Sequence, residues 1–268
     1  MSAEKNTPLL EFKHVTVRRG GRTALNDVSL QINLGENVAL MGPNASGKSR
    51  VLKLITRECY PVDHPQRVFR IGGESRWNIF ELRHLLGIVS TDWQEKFDRE
   101  LTGLETVLSG FFSSVGIWPA DRVTPEMERK AKDILAFLGV PHLERRWMTE
   151  MSSGEARRIL IGRALVHDPK VLVLDEPSNS LDVKAVREFQ ETLRRIAQSG
   201  KNILMATHHL HDVIPEMQRV VLLQEGKILR DGPKSAVFEA ATLSTLFQTP
   251  LALDAEEGYY SWRSVPVR

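Results

Sequence analysis

The segment Gly42-Pro43-Asn44-Ala45-Ser46-Gly47-Lys48-Ser49 constrains this chain more than any other. It fits the pattern G-x-x-x-x-G-K-[ST] and stands between a short apolar run, Asn37–Met41, and a stretch of helical periodicity, Ser49–Ile55. Strand, glycine-rich loop and helix is the order in which this pattern cradles phosphate. The loop turns successive backbone N–H groups inward, and the helix N-terminus adds partial positive charge. Lys48 then reaches the β- and γ-phosphates of a nucleotide, and the Ser49 hydroxyl ligates Mg²⁺. The bland alternative is a glycine turn capped by Ser49.

The rest of the pattern places this loop in an α/β fold. Leu9–Val17 and Val28–Ile32 read as an antiparallel pair of strands, with Arg18-Arg19-Gly20-Gly21 as the turn. Further strands are predicted at Arg67–Ile71, Leu86–Ser90, Lys170–Leu174, Asn202–Thr207 and Arg219–Leu223, with helical patterns between several of them, notably Val183–Ala197. Such alternation implies a mostly parallel central sheet covered on both faces. The stretch Thr91–Val166 differs, because it carries helical periodicity at Met127–Phe137 and Ala156–Leu165 and no convincing strand. It is expected as a helical subdomain inserted in a single domain of residues 1–250. Glu225-Gly226 reads as a hairpin turn, Pro233 as a helix opener, and Leu251–Arg268 as a loosely held tail.

Composition narrows the setting. A chain of 268 residues with 36 basic and 34 acidic side chains carries a formal charge of +2, so a nucleic acid partner is not expected. The single cysteine, Cys59, forms no internal disulfide, and the start MSAEKNTPLLEF leads no basic segment into an apolar stretch, which predicts a cytoplasmic protein. Apolar runs such as Val171–Leu174 fall far short of the ~20 residues that cross a bilayer. A membrane role would come through a partner.

Two further elements carry chemistry. Val171-Leu172-Val173-Leu174 is an apolar strand that ends in Asp175 and Glu176, which presents two carboxylates at the carboxyl edge of a parallel sheet. Asp175 suits a Mg²⁺ shell and Glu176 a base for an attacking water, although a solvated strand end is the plain reading. Ser152-Ser153-Gly154-Glu155 opens a helix and reads first as a capping box. Its amides and Gly154 could also accept a phosphate from another subunit.

Loop, helix start and acidic strand end, in this order, resemble the nucleotide-binding domain of the ATP-binding cassette (ABC) family over about residues 8–245. The segment from Val107 to Ile117, the sequence Met151-Ser152-Ser153-Gly154-Glu155 and the pair His208-His209 look closest to the bacterial branch described as molybdate-type or uncharacterised ABC ATPases. The resemblance implies a P-loop ATPase with an N-terminal antiparallel β subdomain, working as a head-to-tail homodimer with ATP and Mg²⁺ between subunits. It makes Ser152, Ser153 and Gly154 a signature that meets the partner's γ-phosphate, Ser180-Leu181-Asp182 a loop crossing the dimer interface, and His208 a switch residue on the γ-phosphate. It also implies a transmembrane permease as partner and a place on the inner face of the cell membrane.

Several positions depart from the family pattern. Arg19 stands where an aromatic stacks on adenine, and a guanidinium can stack there too. Ala45 replaces a common glycine, Arg50 a common threonine, and Ser153 a signature glycine. The metal-ligating glutamine expected after Leu86–Ser90 falls to Thr91, or to Gln94 one turn on. The reactive set of Lys48, Ser49, Asp175, Glu176 and His208 is intact, so hydrolysis is expected.

Two clusters invite other readings. His208, His209 and His211 with Asp212 suggest a metal, but adjacent histidines alternate across the chain direction and do not share a face. Trp93, Phe97, Phe111, Phe112 and Trp118 read mainly as core, and the resemblance places the permease contact near them. The expected function is an ATP-hydrolysing subunit that energises a separate permease through dimer closure. Its rivals are a soluble ABC ATPase that remodels a cytoplasmic partner and a nucleotide-dependent binding module of low turnover.

Overall fold

The computed structural model describes residues 8–90, 101–118 and 122–265. Its strands are β1 (Pro8–Arg19), β2 (Arg22–Asn33), β3 (Val38–Met41), β4 (Val68–Ile71), β5 (Leu86–Val89), β6 (Val171–Asp175), β7 (Asn202–Thr207), β8 (Arg219–Gln224), β9 (Lys227–Pro233), β10 (Leu251–Glu256) and β11 (Tyr259–Ser264). Its α-helices are α1 (Lys48–Ile55), α2 (Ile79–Leu85), α3 (Gly103–Phe112), α4 (Pro125–Phe137), α5 (Ser153–Leu165), α6 (Val183–Gln198), α7 (Lys234–Val237) and α8 (Ala240–Phe247). The chain divides into two compact units, Met1–Trp77 with Asn202–Arg268, and Asn78–Lys201.

In the first unit β1 pairs antiparallel with β2 on one side and with β4 on the other. The alternation of buried Leu10, Phe12, Val15 and Val17 gives β1 one inward face, and the Gly20-Gly21 turn takes positive φ at both residues, as a tight hairpin requires. A second sheet has β3 at its heart. Its four residues are all buried, and it pairs in parallel with β7 and with β8, while β9 returns antiparallel along β8. A strand buried on both faces shows an unbroken apolar run, which is why Val38-Ala39-Leu40-Met41 was legible.

The second unit combines two strands with helices. Strands β5 and β6 pair in parallel, and α5 packs on β5 and α6. Helix α6 buries Phe189, Leu193 and Ile196 at helical spacing, and Asp182 caps its start by accepting from Ala185 N at 2.8 Å. Helix α3 opens with a capping box of Thr102 and Glu105, and α4 with Thr124 as cap and Pro125 in its first turn.

Two features add to the expected boundaries. Helix α5 packs on β5, and the compact unit that holds the helical stretch runs from Asn78 to Lys201. The expected tail contains a hairpin: β10 pairs with β11 from Leu251↔Ser264 to Glu256↔Tyr259. A two-stranded ribbon buries little of its surface, so its alternation is weak in sequence.

Gly87 shows how tightly the second unit is packed. A β carbon there would stand 2.6 Å from the carbonyl oxygen of Ala164 and 2.9 Å from Pro169. Gly87→Ala is expected to cost about 1–3 kcal/mol through this overlap, read as a lower urea midpoint at unchanged slope.

Candidate functional site

The glycine-rich loop leaves β3 and enters α1. Parallel pairing sets Met41 opposite Thr207, so the loop after β3 and His208 after β7 leave the same carboxyl edge of the sheet. That edge is where ligands bind in open α/β folds.

The loop is held by close backbone approach. A β carbon on Gly42 would stand 2.1 Å from the carbonyl oxygen of Leu223, and one on Gly47 3.1 Å from the carbonyl oxygen of Ala24 and 2.8 Å from the Leu25 side chain. Gly226, in the turn between β8 and β9, donates from its N–H to Ser46 O at 2.9 Å and accepts from Asn26 N at 2.8 Å. The hairpin turn read from sequence thus braces the loop from behind.

The loop's own groups suit an anion. Lys48 is 4% exposed, and its Nζ donates to Gly42 O at 2.9 Å and Pro43 O at 3.1 Å. The Ser46 hydroxyl is buried and has no hydrogen-bond partner among the described residues. Helix α1 begins after Gly47 with no side-chain cap and no acidic residue in its first turn, so its N-terminal dipole is not offset by a side chain of its own. An orphan hydroxyl, a folded-back ammonium and an uncapped helix start fit a bound phosphate chain, and the half-buried Ser49 hydroxyl supplies the oxygen that a hard divalent cation takes. Ala45 adopts φ 63, the left-handed region in which a glycine costs least, which explains why glycine is common there. Arg50 lies half-buried beside Cys59, whose thiol is pushed up by burial. Arg19 is exposed at the tip of the β1–β2 hairpin. Among the described residues no group of three His, Cys, Asp or Glu side chains is arranged to hold a metal; His208, His209 and His211 stack as rings instead.

In the second unit, β6 buries Val171 to Leu174 and delivers Asp175 and Glu176 at its carboxyl end. Glu176 takes φ 46. The signature region is a realised capping box: Glu155 N donates to Ser152 Oγ at 3.3 Å, and Ser152 N to Glu155 Oε2 at 2.8 Å. Ser153 Oγ donates to Ser180 O at 3.2 Å, and a β carbon on Gly154 would stand 2.8 Å from Ala185. Hence residues 152–154 and 180–182 form one connected piece, with Asp182 also serving as the cap of α6. Phe111 and Phe112 are half-buried, Phe111 edge-on to His167, whereas Trp118 is 59% exposed. Thr91, Gln94, Trp93 and Phe97 lie outside the described residues.

A buried parallel strand that runs into a braced glycine-rich loop and a helix defines a nucleotide-binding protein of the P-loop class. The sequence profile of the family described as "ABC transporter" matches residues 25–179, more than half of the chain. The uncharacterised ABC transporter ATP-binding protein YlmA of Bacillus subtilis (strain 168) is 32% identical over 248 residues, covering 91% of this chain and 92% of its own length. Among solved structures, CbiO1 of Clostridium perfringens, part of an ABC transporter complex, superposes with a TM-score of 0.73 at 25% identity, covering 90% of this chain and 94% of that one. A bacterial ABC transporter cassette solved as a dimer gives 0.66 at 25% identity, covering 84% and 98%. This chain belongs to the ABC transporter family and is an ATP-binding, ATP-hydrolysing cassette. No helix among the described residues is long and apolar enough to cross a membrane.

The capping box makes a pH prediction. Burial pushes the Glu155 carboxyl up, but bonds from the Ser152 N–H and hydroxyl and the Arg146 charge outweigh it, and the net shift is downward. A depressed carboxylate stabilises the fold above its ordinary range and loses that contribution as pH falls through its lowered value. The Tm gap between the parent and Glu155→Gln is therefore expected at neutral pH and should close in acid, below the usual carboxylate range, as read by thermal melts across pH.

Proposed function

We propose that this chain is the ATPase subunit of an ABC transporter, which closes as a homodimer on ATP and drives a separate transmembrane permease from the inner face of the cell membrane. The observation that carries the reading is the shared carboxyl edge, where parallel pairing of Met41 with Thr207 brings the phosphate loop and His208 out together.

On this reading the amides of residues 42–47 and the N-terminus of α1 hold the phosphates, and Lys48 exchanges the carbonyls of Gly42 and Pro43 for the β- and γ-phosphate oxygens. Asn44 and Arg50 flank the phosphates, and Arg19 stacks on the base. Ser49 and Asp175, with Thr91 or Gln94, hold Mg²⁺, which when bound offsets the charge that builds on the phosphate oxygens. Glu176 accepts the proton of the attacking water, and His208 donates to the γ-phosphate. Ser152, Ser153, Gly154 and Asp182 face the nucleotide held by the other subunit; their linkage through Ser180 lets them approach as one piece. Phe111, Phe112 and Trp118 supply apolar surface for the permease contact.

Two substitutions separate binding from chemistry. Lys48→Ala is expected to weaken ATP at least tenfold, because phosphate charge loses its nearest cation. Glu176→Gln should bind ATP with near-parent affinity, lower kcat by about 10²–10⁴-fold, and accumulate as a dimer in size-exclusion chromatography with ATP. Hydrolysis by Glu176→Gln at the parent rate would remove Glu176 as the base.

A further inference from the structure

The end of β7 and the turn that follows it hold a buried polar pair. Thr207 and Asp212 are 0% and 1% exposed, amid Leu210, Val213 and Ile214, which are equally buried. A carboxylate in such surroundings is costly unless hydrogen bonds meet it. Here Thr207 Oγ1 donates to Asp212 Oδ2, and Asp212 Oδ1 lies 3.5 Å from His211 Nε2. The same threonine hydroxyl accepts from His209 N at 3.0 Å, and Asp212 N donates to His209 O at 3.3 Å. His208 is the one residue between these two anchored neighbours.

Its ring is held as well. The His208 and His209 rings have centroids 3.8 Å apart, and His209 stacks on His211 at 4.8 Å with an interplanar angle of 19°. Strand β11 packs on the Leu210–Asp212 turn. Lys234 Nζ donates to Ile214 O at 3.1 Å and to Gly258 O at 2.8 Å, which ties the far end of the segment to the turn of the C-terminal hairpin.

We propose that Thr207 and Asp212 are positioning residues for His208, fixing through the Thr207 hydroxyl the turn from which the His208 ring is presented. The proposal rests on the reading of His208 as the γ-phosphate contact. A short side chain that bonds to the N–H two residues on closes a tight turn, and here that bond is made by an oxygen which is itself anchored to a buried carboxylate. Loosening it should misplace the His208 ring while leaving the phosphate loop untouched. A misplacement of about 1 Å is enough to cost ~10²-fold in rate.

The test compares Thr207→Val, Thr207→Ser, Asp212→Asn and His208→Ala in the full chain, by steady-state ATPase kinetics, nucleotide titration and thermal melting. Val keeps the shape of Thr without the hydroxyl, whereas Ser keeps the hydroxyl. Thr207→Val is expected to lower kcat at least tenfold with KM for ATP within about twofold, and Thr207→Ser to retain kcat within about threefold. The double variant Thr207→Val, His208→Ala should be no slower than His208→Ala alone. A folded Thr207→Val with parent kcat overturns the proposal, as does an equal loss in Thr207→Ser. If Thr207→Val does not fold, Asp212→Asn carries the same expectation of reduced kcat at constant KM, and parent kcat there overturns it. His208→Ala with parent turnover overturns the role of His208 itself, a result distinct from the others.

Discussion

The close approach of the β3 loop to the turn after β8 is the contact on which the candidate site depends. Gly42 admits no β carbon, because the carbonyl of Leu223 occupies that space, and Gly226 bonds the loop at Ser46. Since β8 runs parallel to β3, the same pairing that buries the sheet core delivers the bracing turn to the loop. Packing and phosphate geometry are therefore one constraint. The loop's curvature is set in part by backbone contacts, and preorganised amides are what make such a site bind anions without reorganisation.

Two helix starts in this chain illustrate how capping divides structure from function. Helix α5 spends the Ser152 and Glu155 side chains on its own backbone, so the N–H of Glu155 is occupied. Helix α1 has no side-chain cap, and no acidic residue stands in its first turn. The difference makes α1 the stronger anion site by itself. At α5 the amides ahead of Glu155, those of Ser153 and Gly154, are the ones that the capping box leaves out, and they coincide with the positions the family resemblance assigns to the partner's phosphate.

Legibility in the sequence followed burial. Strands β3, β6, β7 and β8 show unbroken apolar runs because both faces are covered, and each was readable to within a residue or two. The phosphate loop was readable because its spacing has a mechanical cause. What escaped was decided by tertiary context. The β10–β11 ribbon exposes most of its side chains, so no alternation marks it. The short helix α8 lacks a side-chain cap, so its start is unannounced. The Thr207–Asp212 bond joins the last residue of β7 to the turn Leu210–Asp212 five residues on, and no pattern of residue types signals it. Likewise Gly154 reads as a phosphate-facing glycine, while the structure adds a packing reason, its contact with Ala185.

Eleven non-glycine residues among those described take positive φ, most of them in turns outside the motifs, and three fall in the motif loops. Ala45, Glu176 and Ser180 all take positive φ, and each lies in one of the loops that the sequence motifs singled out. For a residue with a β carbon the left-handed region costs roughly 1–2 kcal/mol, which persists only where surrounding contacts over-determine the conformation. At Ala45 the determinants are visible: Ser46 is bonded to Gly226, and Lys48 folds back on Gly42 and Pro43. Where glycine would sit without strain, this chain carries a methyl group and holds the turn by those bonds. The alanine also removes conformational freedom from the unfolded loop that glycine would leave, so part of the strain is offset in the unfolded state. Substituting glycine at this position thus trades a strained, more ordered loop for a relaxed, more flexible one, and the net stability change is smaller than the left-handed penalty alone would imply.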